Sequence, residues 1–250
     1  MFEWEDKSWF PPLLRRMQTD YIGWLVQRFS AYEPVVGHFA SMLNDSGAKG
    51  WVDLCSGNGG PAIWIHAELK KQNVLPPSFQ LQLTDLYPGF PQELPAGIQA
   101  VNYPVDALHL DDSMKGARSM FNAYHHFDEA TQISLMHTHG PHGFFVVEVL
   151  QPNVVVFLKI LFTTTIGQLL LAPFVKPFSW MRLLLTYMIP VNLITVTWDG
   201  LVSVLRVTSP AKMKALVEKN TPKGCTFKSG LSGPFWAPLT WFYVSPEKHT

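Results

Sequence analysis

Only two cysteines, Cys55 and Cys225, occur in 250 residues. That is too few for a disulfide framework and fits a reducing compartment. Charge of one sign is also missing. Nineteen Lys and Arg stand against nineteen Asp and Glu, a formal net charge of zero, so the chain lacks the positive field that draws a protein onto phosphate backbones and no nucleic-acid partner is expected. The opening residues, Met1-Phe-Glu-Trp-Glu-Asp, supply neither the basic nor the apolar region of a signal peptide, which makes the cytoplasm the expected location. Charged residues of both signs amount to 15% against 47% hydrophobic, where a typical soluble domain has roughly 25% charged. At this length one large α/β domain can bury its own core without staples.

The sharpest local absence is of acid. No Asp or Glu occurs between Glu148 and Asp199, and Lys159, Lys176 and Arg182 are the only charges there. We read this region, about residues 151–207, as an apolar helical insertion of two helices broken around Pro173 and Pro177. The piece from Val154 to Val175 approaches the ~20 apolar residues that cross a bilayer. Lys159, Gln168, Gly167 and Thr163 to Thr165 lower its hydropathy, which favours an interfacial or re-entrant segment over a span. A membrane surface is therefore one expected partner, with a buried helix pair as the alternative. Oligomeric state is not legible.

Residues 1–49 read as N-terminal capping helices. Pro11 and Pro12 suit a helix start, Thr19 a cap, and Ile22, Leu25, Val26 and Phe29 share one helical face. From residue 50 onward short apolar runs alternate with helical pieces: WVDLC, FQLQLTDLY, IQAVNYPVDA, ARSMFNAY and GFFVVEV. The spacing predicts a mostly parallel sheet with crossovers, closed by a helix from Ser209-Pro210 through Glu218 and the strands CTFKSG and LTWFYVS.

In Val52-Asp53-Leu54-Cys55-Ser56-Gly57-Asn58-Gly59-Gly60-Pro61 an apolar strand enters a glycine turn and Pro61 starts a helix. Glycines admit a ligand close to the backbone, and the helix start offers free N–H groups, so a nucleotide-type ligand is expected, a plain tight turn being the alternative. Asp85 closes the second apolar run, where a carboxylate can accept both hydroxyl hydrogens of a ribose. Asp106 follows the third run and can accept from an exocyclic amine.

The series VDLCSGNGG, LTDLY, NYPVDA and MFNAYHHF resembles the class I S-adenosylmethionine-dependent methyltransferases over roughly residues 50–150. The resemblance implies a Rossmann-like, mostly parallel seven-stranded sheet and S-adenosyl-L-methionine as cofactor. It further implies a cofactor site of Asp53, Cys55, Gly57, Gly59, Asp85, Leu86, Asp106, Ala107 and Asn122. Cys55 stands where that family has its first glycine. Gly57-x-Gly59-x-x-Ala62 also satisfies the dinucleotide pattern, so a nicotinamide oxidoreductase is the rival, although Asp85 lies farther downstream than the ~20 residues that fingerprint expects. A non-catalytic membrane protein retaining the fold is the third reading.

Tyr124, His125 and His126, with Asn122, are expected to line the transfer pocket, a histidine being able to take a proton from an acceptor near neutral pH. The plainer reading makes the histidines polar residues of a helix start. Asp199, near Arg206, is expected either to orient a polar substrate group or to pair with that arginine. His137, His139 and His142 lack the partners of a metal site and read as a helix end and loop, so no metal is expected. The greasy insertion points to an apolar, lipid-like or other membrane-resident small molecule as acceptor.

Overall fold

The computed structural model describes residues 1–248. Seven strands form one sheet in the order β3-β2-β1-β4-β5-β7-β6. These are β1 (Gly50–Leu54), β2 (Gln80–Leu83), β3 (Ile98–Ala100), β4 (Ala117–Phe121), β5 (Phe144–Glu148), β6 (Cys225–Ser232) and β7 (Leu239–Pro246). The first five run parallel, and β7 lies antiparallel between β5 and β6. Every residue of β4 and β5 is buried, as in parallel strands covered on both faces; the polar ones have partners there, Arg118 donating to the Met114 carbonyl, Ser119 to Asp53, and Glu148 facing His125.

The sheet carries a core on each side. Trp51 packs against Phe39 at 4.6 Å between ring centroids, in a cluster with Ile65, Phe121 and Phe145; Val52, Met120, Phe144 and Phe242 fill the other. Phe39 and Met42 come from α2 (Val36–Ser46), so that helix belongs to the sheet's own core rather than to a cap. On the same side lies α3 (Gly60–Lys71), while α4 (Glu129–His139) and α9 (Pro210–Asn220) cover the opposite face. Strand order reverses between β1 and β4, the point where open α/β sheets leave a crevice beyond their carboxyl ends.

Helix α1 (Pro12–Arg28) starts as its prolines predict, but Thr19 lies inside it and bonds back to the Arg16 carbonyl. Its buried face is Leu14, Met17, Tyr21 and Val26, with Ile22 and Phe29 outside. The face is displaced because Tyr21 and Asp20 turn to the insertion: the Tyr21 hydroxyl donates to the Thr163 carbonyl at 2.7 Å, and Arg182 Nη2 donates to Asp20 at 2.9 Å.

The insertion has three helical pieces, not two. Val154–Phe174 is one continuous 21-residue helix, comprising α5 (Val154–Phe162), a π-turn over Thr163–Gly167, α6 (Gln168–Leu171) and a final 3-10 turn. After the prolines come Trp180–Met188, which begins as α7 (Trp180–Leu183), and then α8 (Val191–Arg206) at 82° to it. Pro190 makes the extra break, since it has no N–H for the ladder and its ring clashes with the preceding turn.

Candidate active site

A cavity of about 1020 Å³ opens at the sheet's switch point. Its floor is the β1–α3 loop. Cys55 and Gly57 in that loop, and Asn122 just past the end of β4, all have left-handed backbones, with φ of 53°, 58° and 53°, and all three line the cavity. Gly57 takes this conformation without cost, whereas at Cys55 and Asn122 it stores strain of the kind that gathers at ligand sites.

Asp85 spans the gap between loop and strand. One carboxylate oxygen accepts from the Gly57 N–H and the other from the Tyr87 N–H, both at 2.8 Å. Burial pushes its carboxyl above the ordinary range against these two bonds. Each oxygen keeps a second lone pair, and the residue lines the cavity. Leu86 and Ala107 line the same wall. Asp106 does too, but it is engaged locally: it accepts from the Leu108 N–H and faces His109 Nδ1, both at 2.9 Å, and these bonds hold its carboxyl low.

Two residues of the expected cofactor set lie behind the cavity rather than on it. Asp53 is 2% exposed and accepts from the Ser119 hydroxyl; burial outweighs the serine bonds and raises its carboxyl to about 7. It braces the floor and does not face a ligand. Gly59 turns the chain into α3 at φ 80°, where a β-carbon would stand 2.6 Å from Leu83 Cδ1.

The acceptor-side residues part in the same way. Tyr124 is buried, its hydroxyl donating to the Gln132 carbonyl at 2.7 Å. His125 is buried with Nδ1 2.9 Å from Glu148. His126 alone of the three reaches the cavity, because the single 3-10 turn over Tyr124–His126 sends successive side chains in different directions. Burial disfavours its charge, but the bond to Asp6 and the carboxylates of Glu3 and Glu5 prevail and raise it to about 9. The surrounding carboxylates thus favour positive charge at this ring.

Asp199 does not reach the cavity either, nor does it pair with Arg206. It holds the roof: its oxygens accept from the Trp4 N–H at 2.7 Å, the Glu5 N–H at 3.1 Å and the Gln18 amide at 3.0 Å. Arg206 instead donates to Glu3 at 3.0 Å, Asp6 at 2.7 Å and the His126 carbonyl at 2.6 Å. Residues 1–10 thus form a strap across the mouth, with Phe2, Glu5, Asp6 and Lys7 on its inner side. Burial raises the Glu5 carboxyl to about 8, while His126 and Arg206 overcome burial to hold Asp6 near 2. Scattered acids near a chain start read as solvated, so the strap is nearly invisible in the sequence. Its one signal is Trp4, which stacks on Trp198 at 5.8 Å.

No family model matches the chain, and no curated protein matches it in sequence. Solved structures resemble it in fold. The plantazolicin methyltransferase BpumL in complex with SAH superposes with a TM-score of 0.50 at 10% identity, over 94% of this chain and 96% of that one. The chain has the class I methyltransferase fold. Human N-acetylserotonin methyltransferase in complex with SAM gives a TM-score of 0.46 at 13% identity, over 87% of this chain and 53% of that one. A putative Zn-dependent alcohol dehydrogenase from Rhodobacter sphaeroides gives 0.45 at 9%, over 92% and 98%.

Proposed function

We propose that this protein is an S-adenosylmethionine-dependent methyltransferase whose acceptor is an apolar small molecule drawn from a membrane surface. The observation that carries the cofactor is the pairing of the Gly57 loop with Asp85 on one wall of the switch-point cavity. Asp85 keeps lone pairs for a ribose diol, Ala107 and Leu86 offer apolar contact for a base, and the left-handed backbone at Cys55 and Gly57 lets the amino-acid portion approach. BpumL was solved with SAH bound, which supports the same choice here.

The bound cofactor would supply a methyl group on a sulfonium; the protein's task is to orient an acceptor and keep water out. The strap serves both ends. Phe2 and Phe127 give the mouth apolar walls, and His126 sets its ring beside them at the acceptor end. Glu5, with its carboxyl near 8 and facing the same space, is suited to take the proton an oxygen or nitrogen acceptor releases.

The membrane reading rests on the insertion's outer surface. Most of Val154–Phe174 is not buried, and Val155, Leu158, Phe162, Leu170 and Phe174 project outward from it. Trp180, Met188, Ile189 and Ile194 extend the patch. Exposed apolar area on this scale marks an interaction surface. Thr164 and Gln168 turn inward with their polar groups buried, so the helix has an inner and an outer face, as a helix lying at an interface does.

Calorimetric titration with S-adenosylmethionine, S-adenosylhomocysteine, NADH and NAD in parallel tests the cofactor. Micromolar binding of the sulfonium pair alone, about −8 kcal/mol, is expected; binding of the dinucleotides alone overturns the reading. Transfer of labelled methyl from the cofactor into the organic phase of a membrane lipid extract tests the acceptor class, and label confined to water-soluble products overturns it.

A further inference from the structure

Glu3 of the strap meets His125 and His126 beyond the end of β4. Glu3 Oε1 lies 3.9 Å from His125 Nε2, and Glu3 Oε2 lies 3.6 Å from His126 Nε2. The three donor atoms stand within 4.8 Å of one another. The side chains of Glu3 and His125 are 0% and 1% exposed, yet His125 Nε2 has no hydrogen-bond partner. The contacts to Glu3 are too long to count as such bonds. A fully buried ring nitrogen left without a partner is costly, and this one is aimed into the gap among three ligating atoms.

The opposite nitrogens are anchored. His125 Nδ1 is 2.9 Å from Glu148 Oε2 and His126 Nδ1 is 2.7 Å from Asp6 Oδ1. A carboxylate on the far nitrogen of each ring fixes its tautomer and aims Nε2, the support that metal-ligating histidines have. Ligands held about 2.0–2.2 Å from a tetrahedral ion stand roughly 3.4 Å apart, so the three donors, within 4.8 Å of one another here, have to draw closer to take up an ion. Glu3 retains the capacity to ligate: Oε1 accepts one bond from Arg206 and Oε2 one from Ser203 at 2.9 Å, which leaves a lone pair on each. The charges also ask for a cation. Glu3, Asp6 and Glu148 surround the two rings, and Arg206 bridges Glu3 and Asp6.

We infer that Glu3, His125 and His126 bind a divalent transition-metal ion, with the remaining coordination position turned toward the cavity that His126 lines. Two imidazoles and a carboxylate suit Zn²⁺, Co²⁺, Fe²⁺ or Mn²⁺ rather than Mg²⁺ or Ca²⁺. The ion would pin the strap to the strand ends, so that the cavity roof is fastened by a metal as well as by Asp199 and Arg206. No short sequence spacing announces the site, because its carboxylate lies 122 positions before its first histidine.

The test uses the full chain stripped with a chelator, then titrated with Zn²⁺ against a chromophoric competitor and with Co²⁺ by absorption. One equivalent, at micromolar affinity or tighter, is expected, together with the visible bands of low-symmetry Co²⁺. Glu3→Gln and His126→Ala should each weaken binding at least tenfold, and exposed His137→Ala should leave it unchanged. Should His126→Ala lose its fold by circular dichroism, Glu3→Gln carries the test, since Glu3 lies outside the sheet. Absence of micromolar binding, equal affinity in wild type and Glu3→Gln, or loss on His137→Ala overturns the assignment. The readout is metal content and spectrum, so it stands or falls apart from the methyl-transfer reading.

Discussion

A β-carbon on Gly60 would stand 2.7 Å from the Cα of Gly23, so α1 and α3 meet backbone to backbone beside the cofactor loop. No side chain can yield at that contact. Gly60→Ala should cost about 1–3 kcal/mol, the range for overpacking a filled site, read as a lower denaturant midpoint at unchanged slope. Gly37→Ala, where a β-carbon meets nothing within 4 Å, should show no loss.

Asp53 makes stability depend on pH. Burial raises its carboxyl from 3.8 to about 7, so the folded state holds a proton that the unfolded chain releases near 4. Stability is then free of this penalty below about pH 4, declines as pH rises through 7, and carries the full penalty above it. At roughly 1.4 kcal/mol per pKa unit, the penalty amounts to at most a few kcal/mol. Asp53→Asn, which mimics the protonated acid, should melt higher than wild type at pH 8 and flatten the profile between pH 4 and 8.

Asp85→Ala removes the acceptor of two backbone N–H groups and of any ribose diol. Charge-assisted bonds are worth about 1.5–3 kcal/mol each, so S-adenosylhomocysteine should bind at least tenfold more weakly by calorimetry. Unchanged affinity would free Asp85 of its assigned role.

The outer surface of the insertion should carry the chain to lipid. Replacing Leu170, Phe174 and Trp180 together by Glu removes apolar side chains worth about 1.5–3 kcal/mol each when buried. Co-sedimentation with anionic vesicles should fall by more than tenfold while the far-ultraviolet spectrum is retained. Equal sedimentation would place the contact elsewhere.

Strands and loop were legible because both rest on local rules. Buried runs such as GFFVVEV and the glycines before Pro61 announce themselves within ten residues. What stayed hidden depends on direction or distance. Asp53 and Gly59 belong to the motif, yet one points into the core and the other serves the turn. Tyr124, His125 and His126 are consecutive, but a tight turn sends only His126 to the cavity. Asp199 and Arg206 are seven residues apart in one helix and look like natural partners; each instead reaches about two hundred residues back to the strap. The third piece of the insertion was readable in principle, since Pro190 marks it.

Helix α8 ends in contact with everything that matters here. One stretch of it, Val191 and Ile194, lies in the apolar outer surface, and another, Asp199, Ser203 and Arg206, holds the strap by its backbone and by Glu3 and Asp6. A rigid rod gripped at both ends transmits work in both directions. Whatever docks on the greasy side and whatever fills the cleft therefore share one mechanical element, and thermodynamic reciprocity requires that if lipid alters the affinity of the cleft, an occupied cleft alters the affinity for lipid by the same factor.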